Sequence, residues 1–307
     1  MFPLKSLLPA VCAFMCATQV LVSSAAQAHE FWIEPLAYQI APGDTALAAF
    51  HVGQEFKGPT FIYVPRRSVR FEQVAGGAQA EVAATVGDNP AFQLSGAPEG
   101  LLIVAHEAAE QTLAYKTWDK FQKFIDHKDF GDVRSAHEAR GLPQEGFREG
   151  YSRYAKALIG VGDGAGRDQI FGLRTEIIAL ANPYTDDLSN GLPVLVMLKG
   201  GPRQNAQVEL FEKAPDDTVT ITLHRTNADG VAVLPVRAGY RYLVDAVTLE
   251  PRDPAEAPGV AYHSLWAALT FAVPLSCARL RRALQVPQRR TPWTSLKRSR
   301  ASPPPCP

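Results

Sequence analysis

The chain holds seven histidines, scattered widely enough that any centre they build has to be assembled by the fold. The first, His29, stands in A-Q-A-H-E-F-W-I-E-P, residues 26 to 35. If a peptidase cuts after Ala28, His29 opens the finished chain and offers one ion two nitrogens, its α-amine and a ring nitrogen. The free amine titrates at about 8 and the imidazole at about 6.5, so both are open to a borderline metal near neutrality. Nitrogen ligation of this kind suits copper best, then nickel or cobalt, with zinc still open.

Further ligands have to come from other segments. In L-A-A-F-H-V-G, Leu47, Ala49 and His51 share one strand face while Ala48, Phe50 and Val52 share the other. In L-L-I-V-A-H, Leu102, Val104 and His106 share a face. His263, in Y-H-S-L-W, precedes a closing strand and could reach a junction between domains. The expected metal ligands are therefore His29, His106, His51 and His263, and no catalytic residue is assigned. For His51 and His106 the competing role is that of a half-buried, hydrogen-bonded histidine near a strand end. His127 and His137 sit with Asp126, Asp129 and Glu138, a mixed nitrogen and oxygen set that reads as facing water. His224 alternates with Val219, Ile221 and Leu223, which read as inward, so it is expected on the outside.

What precedes His29 has the order of a secretory signal. Lys5 is the only charge before Glu30, an apolar run extends from Leu7 to Val22, and Ala26-Gln27-Ala28 makes an A-x-A exit. The apolar run is too short for a retained membrane helix, so the expectation is cleavage after Ala28 and a periplasmic mature protein that does not insert in the membrane. Cys12 and Cys16 leave with that segment and Cys277 and Cys306 lie near the other end, so the body owes nothing to disulfides. The zero formal charge hides a division: residues 29–274 carry 31 acidic and 22 basic side chains, whereas 275–307 carry eight basic and none acidic. The acidic body excludes a general nucleic-acid binder. The basic, proline-rich segment 275–307 reads as a disordered tail or the product of a shifted reading frame.

Common catalytic signatures are missing. His29-Glu30 and His137-Glu138 lack the second histidine of an H-E-x-x-H site, and there is neither a G-x-S-x-G elbow nor a phosphate-binding Gly-Lys-Ser/Thr loop. G-V-G-D-G-A-G, 160 to 166, reads as a tight turn after a helix rather than a dinucleotide loop. R-R-S-V-R, Arg66 to Arg70, could contact an anion but reads as a solvated sheet rim. Tyr151, Arg153, Tyr154 and Lys156 add polar ends to a stretch whose tyrosines serve first in packing.

The elements that must position these residues are mostly strands. Short β patterns separated by Pro-Gly, Gly-Gly and Asn-Pro turns run from Phe31 to His106 and point to a sandwich. Trp118, Phe121, Phe124, Ile125 and Lys128 then follow helical spacing, and a second helix fits Phe147 to Ile159. The expected organisation is a signal peptide at 1–28, a β-sandwich at 29–181 with a helical insertion at about 116–160, and a small sandwich at 182–274. That second unit reads as immunoglobulin-like or prealbumin-like, joined through N-P-Y-T-D-D-L-S-N-G.

H-E-F-W-I-E-P at 29 to 35, Y-S-R-Y-A-K at 151 to 156, E-I-I-A-L-A-N-P-Y at 176 to 184, T-N-A-D-G-V-A at 226 to 232 and Y-H-S-L-W-A-A-L-T-F at 262 to 271 together resemble the DUF4198 family. The resemblance spans about 29–274. It implies an exported two-domain β protein related to the periplasmic component of nickel and cobalt uptake, with a nickel, cobalt or copper ion as ligand and a membrane uptake component as partner. Two alternatives stay open: a periplasmic binding or scaffold module without metal, and a copper-dependent oxidative enzyme.

Overall fold

The computed structural model describes residues 29–253 and 255–275. The expectations for the signal segment, and for all but the first residue of the basic tail, fall outside the described residues. The strands in chain order are β1 (Glu30–Pro35), β2 (Gln39–Ile40), β3 (Ala46–Gly53), β4 (Thr60–Phe61), β5 (Ser68–Ala75), β6 (Ala78–Glu81), β7 (Phe92–Leu94), β8 (Gly100–Ala108) and β9 (Gln111–Tyr115). Two helices follow, α1 (Trp118–Lys128) and α2 (Val133–Ala139). Then come β10 (Phe147–Val161), β11 (Thr175–Ala179), β12 (Leu192–Leu198), β13 (Gly201–Pro202), β14 (Gln207–Lys213), β15 (Val219–Arg225), β16 (Val231–Leu234), β17 (Tyr240–Pro251) and β18 (Val260–Val273). The protein is mainly β and of sandwich type, as expected. Neither helix is long and apolar enough to cross a membrane.

The strands form three layers. A ten-stranded sheet runs β15-β14-β17-β18-β10-β8-β5-β6, with β2 and β9 also paired to β10. A four-stranded sheet built on β1-β3-β4 with β7 lies on one side, and another built on β11-β12-β13 with β16 lies on the other. Alternation along β10 feeds both interfaces. Ala155, Ala157 and Ile159 join Phe31, Ile33, Phe50 and Leu102 in one core, and Tyr154 and Leu158 join Ile177, Val194, Leu265 and Leu269 in the other.

This layering corrects the expected second helix. Residues 147–161 form a strand in the middle of the large sheet, parallel to β18 and antiparallel to β8 and β9. This strand is covered on both faces, and the polar residues it buries, Glu149, Ser152, Arg153 and Lys156, break the apolar-polar alternation by which strands are recognised, so its sequence fits a helical template equally well. The insertion is therefore α1 and α2 alone. Asp132 caps α2, its Oδ1 accepting from Ser135 N at 3.0 Å.

The 182–191 segment, expected as a joint between domains, links β11 to β12, which are antiparallel neighbours in one sheet. Asn182 Nδ2 donates to the carbonyls of Gly164 and Gly166, and Tyr184 Oη donates to the Leu158 carbonyl. This is why G-V-G-D-G-A-G is glycine-rich: a Cβ on Gly160 would stand 3.0 Å from the Tyr184 ring. The loop follows a strand, not a helix, and no helix opens after it.

A buried polar cluster links β9, β10 and β18 within the large sheet. Glu149 accepts from Tyr115 Oη at 2.6 Å and from Ser264 Oγ, and Ser264 Oγ accepts in turn from the Trp266 indole. Burial pushes the Glu149 carboxyl up to about 7, although the hydrogen bonds from Ser264 and Tyr115 act in the opposite direction. A carboxyl whose folded value is raised favours folding at low pH and loses that contribution as pH rises through the folded value. Glu149→Gln should therefore flatten the fall in stability between pH 4.5 and 8 by up to about 3 kcal/mol. Urea midpoints of both proteins at several pH values check this, and parallel curves would contradict it.

Candidate functional site

Strand alternation sorts the first residues of the chain onto two faces. His29 and Phe31 face one way, and Glu30 and Trp32 face the other. On the first face lies a cavity of about 380 Å3 whose wall includes His29, Phe31, Phe50, Phe61, His106 and Tyr151, with Arg67 and Arg153 also on it. Two of the four expected ligands, His29 and His106, thus line one space.

His106 is held by its neighbours. Its ring centroid is 4.5 Å from that of Phe50 and 5.4 Å from those of Phe31 and Phe71. Its Nε2 is hydrogen-bonded to Ser68 Oγ at 3.0 Å. The side chain is 3% exposed, and burial pushes the imidazole down to about 3, so it stays neutral at any physiological pH. His29 is also lowered, first by burial and then by the Arg153 charge. Arg153 donates from Nη2 to the His29 carbonyl at 2.9 Å and lies 4.7 Å from the centroid of the Tyr151 ring.

Three residues of this wall each hold a buried polar atom without a hydrogen-bond partner: His29 Nδ1, His106 Nδ1 and Arg153 Nε. They are three of the seven such side-chain atoms among the described residues, so the deficit is concentrated here. Each orphaned polar group costs about 1–3 kcal/mol. Native proteins rarely leave such groups unpaired without a reason, such as a bound water, an ion or a functional role.

His51 and His263 do not line this cavity. His51 is on the opposite face of β3 from Phe50 and Val52, stacked on Trp32 with ring centroids 5.2 Å apart, its Nδ1 bonded to the Gly58 carbonyl at 3.0 Å. His263 is bonded through Nε2 to Ser152 Oγ and through Nδ1 to the Arg252 guanidinium, and burial pushes it down to about 4. Both have the partners of structural histidines. His137, expected to face water, is fully buried between Tyr262 Oη and the Pro143 carbonyl. His224 is half-buried on β15, where Ile221 is 41% and Leu223 61% exposed, so the inward face expected there is turned outward. β15 is an edge strand of the large sheet, with β14 as its partner.

On the second face Glu30 meets a buried charge cluster that the sequence did not disclose. Lys128 Nζ lies 2.8 Å from Glu209 Oε1, 2.9 Å from Asp245 Oδ2 and 3.8 Å from Glu30 Oε1. Burial alone would lower the Lys128 ammonium, but Asp245, Glu209 and Glu30 together raise it above its ordinary value. Burial pushes Glu30 up to about 7. Glu30, His127 and Glu209 could also gather around a cation, but the Lys128 ammonium already stands among these carboxylates.

Similar solved structures are distant. A tetra-tandem repeat from the extending region of a large adhesion protein matches at TM-score 0.20 and 14% identity, over 80% of this chain and 50% of that one. Salmonella alpha-2-macroglobulin reacted with methylamine matches at TM-score 0.19 and 12% identity, over 79% of this chain and 15% of that one. The D0-D1 domain of intimin matches at TM-score 0.17 and 15% identity. The chain thus spans half or less of the first two, and scores this low carry no inference about what it does. No curated protein matches the sequence at a significant level. The model of DUF4198, a domain of unknown function, matches residues 26–250, from just before His29 into β17, and the chain belongs to that family.

Proposed function

We propose that this chain is an exported transition-metal-binding or metal-delivery protein, processed after Ala28, with His29 and His106 as ligands. Copper, nickel and cobalt are the candidate ions. The observation that carries this reading is that two histidines of one cavity wall each keep a buried, unpartnered Nδ1. Both imidazoles are lowered from their ordinary value, which keeps a lone pair available at neutral pH. Ser68 supports the same assignment: if His106 Nε2–H donates to Ser68 Oγ, the lone pair falls on Nδ1, and a partner on the far nitrogen is the usual way a ligating histidine is oriented. A bound ion would draw on two imidazole nitrogens and the freed amine.

Calorimetric titration with copper, nickel and cobalt tests this. Protein beginning at His29 should bind at least one ion at a one-to-one ratio, and protein retaining Ala28 should bind it at least about tenfold more weakly because the amine is blocked. Equal affinity in the two forms would remove the amine from the site.

A second reading, a binding module that takes an organic ligand without metal, is favoured by the aromatic wall of the cavity. Titration of metal-free protein with small organic ligands separates the two.

A further inference from the structure

The cavity is larger than an ion requires. Its volume of about 380 Å3 lies in the range of small-molecule sites, and Phe31, Phe50, Val52, Phe61, Ile62 and Leu113 give it an apolar wall. Two guanidinium groups stand on the same wall, and among the described residues no carboxylate lies within ion-pair distance of either Arg67 or Arg153. Arg67 is exposed and meets water, but Arg153 is 9% exposed. Its Nη2 is satisfied only by a neutral carbonyl, and its Nε by nothing. The carboxylates of Glu30, Asp245 and Glu149 act on this guanidinium only from beyond ion-pair distance, so the buried cation is incompletely compensated, and a ligand carrying one negative charge relieves it. The same cation repels a divalent ion, so a metal held by His29 and His106 also gains from an anion placed between.

From these features we infer that the cavity takes a monocarboxylate with an apolar body, its carboxylate against Arg153 and its body along the aromatic wall. This deepens the metal reading by naming the co-ligand, but it rests on Arg153 and the wall and does not require the ion. A single buried guanidinium matches one negative charge, and an apolar wall disfavours a dianion, so inorganic phosphate is a poor fit.

The test is calorimetric and saturation-transfer titration of processed protein, metal-free and copper-loaded, with octanoate, benzoate, acetate, octylamine and inorganic phosphate. Octanoate and benzoate should bind metal-free protein at least tenfold more tightly than acetate, and octylamine and phosphate should not compete. Arg153→Gln should weaken octanoate at least tenfold, whereas Arg67→Ala should change it by less than about twofold. Ile62→Glu, which puts a negative charge on an exposed wall position, should weaken it at least tenfold at an unchanged urea midpoint. Acetate binding as tightly as octanoate, octylamine competing with it, or indifference to Ile62→Glu would overturn the inference. Octanoate binding without any copper binding would remove the metal and leave this proposal standing; copper binding without octanoate binding in either form would do the reverse.

Discussion

Lys128→Met should lower stability at pH 8 by about 3–5 kcal/mol, the cost of leaving buried charge without its partner. Lys128 is 4% exposed and is the cation that Glu209, Asp245 and Glu30 share, and the methionine chain would fill its path beside Trp266 without its charge. The deficit should shrink toward pH 5, because carboxylates that have lost their cation take up protons more readily as pH falls. Adding D245N to the Lys128→Met protein should return part of the loss at pH 8. Urea denaturation of the three proteins at the two pH values measures this, and a cost below about 1 kcal/mol at pH 8 would mean that water or His127 compensates the cluster.

His106→Phe should have the largest effect on binding and a small one on folding. The ring lies among Phe31, Phe50 and Phe71, so a phenyl group fits the same surroundings. The substitution removes one hydrogen bond to Ser68 and one orphaned nitrogen, terms of similar size and opposite sign, so stability at pH 8 should change by about 1 kcal/mol or less. Copper affinity of the processed protein should fall at least about 100-fold. The pH dependence adds a check. His106 is pushed down to about 3 from 6.5, so in the wild type it favours folding above pH 6.5 and loses that contribution as pH falls. The phenylalanine variant should gain about 2 kcal/mol on the wild type between pH 8 and pH 5. Denaturation and titration on one preparation give both results.

Much of the site's frame was legible because it rests on exposed-edge logic and period two. Phe50 and Val52 read as lying opposite His51, and that alternation is what puts Phe50 on the cavity and His51 on the far face. Leu102, Val104 and His106 read as sharing a face, and they do, against the same core as Phe31. Trp118 to Lys128 read as a helix because one stripe is buried and the other is wet. β10 was not legible, since Phe147 to Val161 is covered on both sides and its alternation disappears. β15 misled for the opposite reason: its apolar residues face out on an edge strand. Lys128 fits the buried stripe of its helix by spacing alone, but its partners Glu209 and Asp245 lie 81 and 117 residues away. Nothing local announces them, and a separation of 124 residues likewise hides Arg153 from His29.

The central claim, that His29 and His106 hold one metal ion through two imidazoles and the first amine, is tested most directly by electron paramagnetic resonance of copper(II)-loaded processed protein. With histidine labelled by 15N, the account predicts hyperfine coupling to two imidazole nitrogens and one amine, one imidazole signal disappearing in His106→Phe. Coupling to a single imidazole, or a spectrum that His106→Phe leaves unchanged, would contradict it.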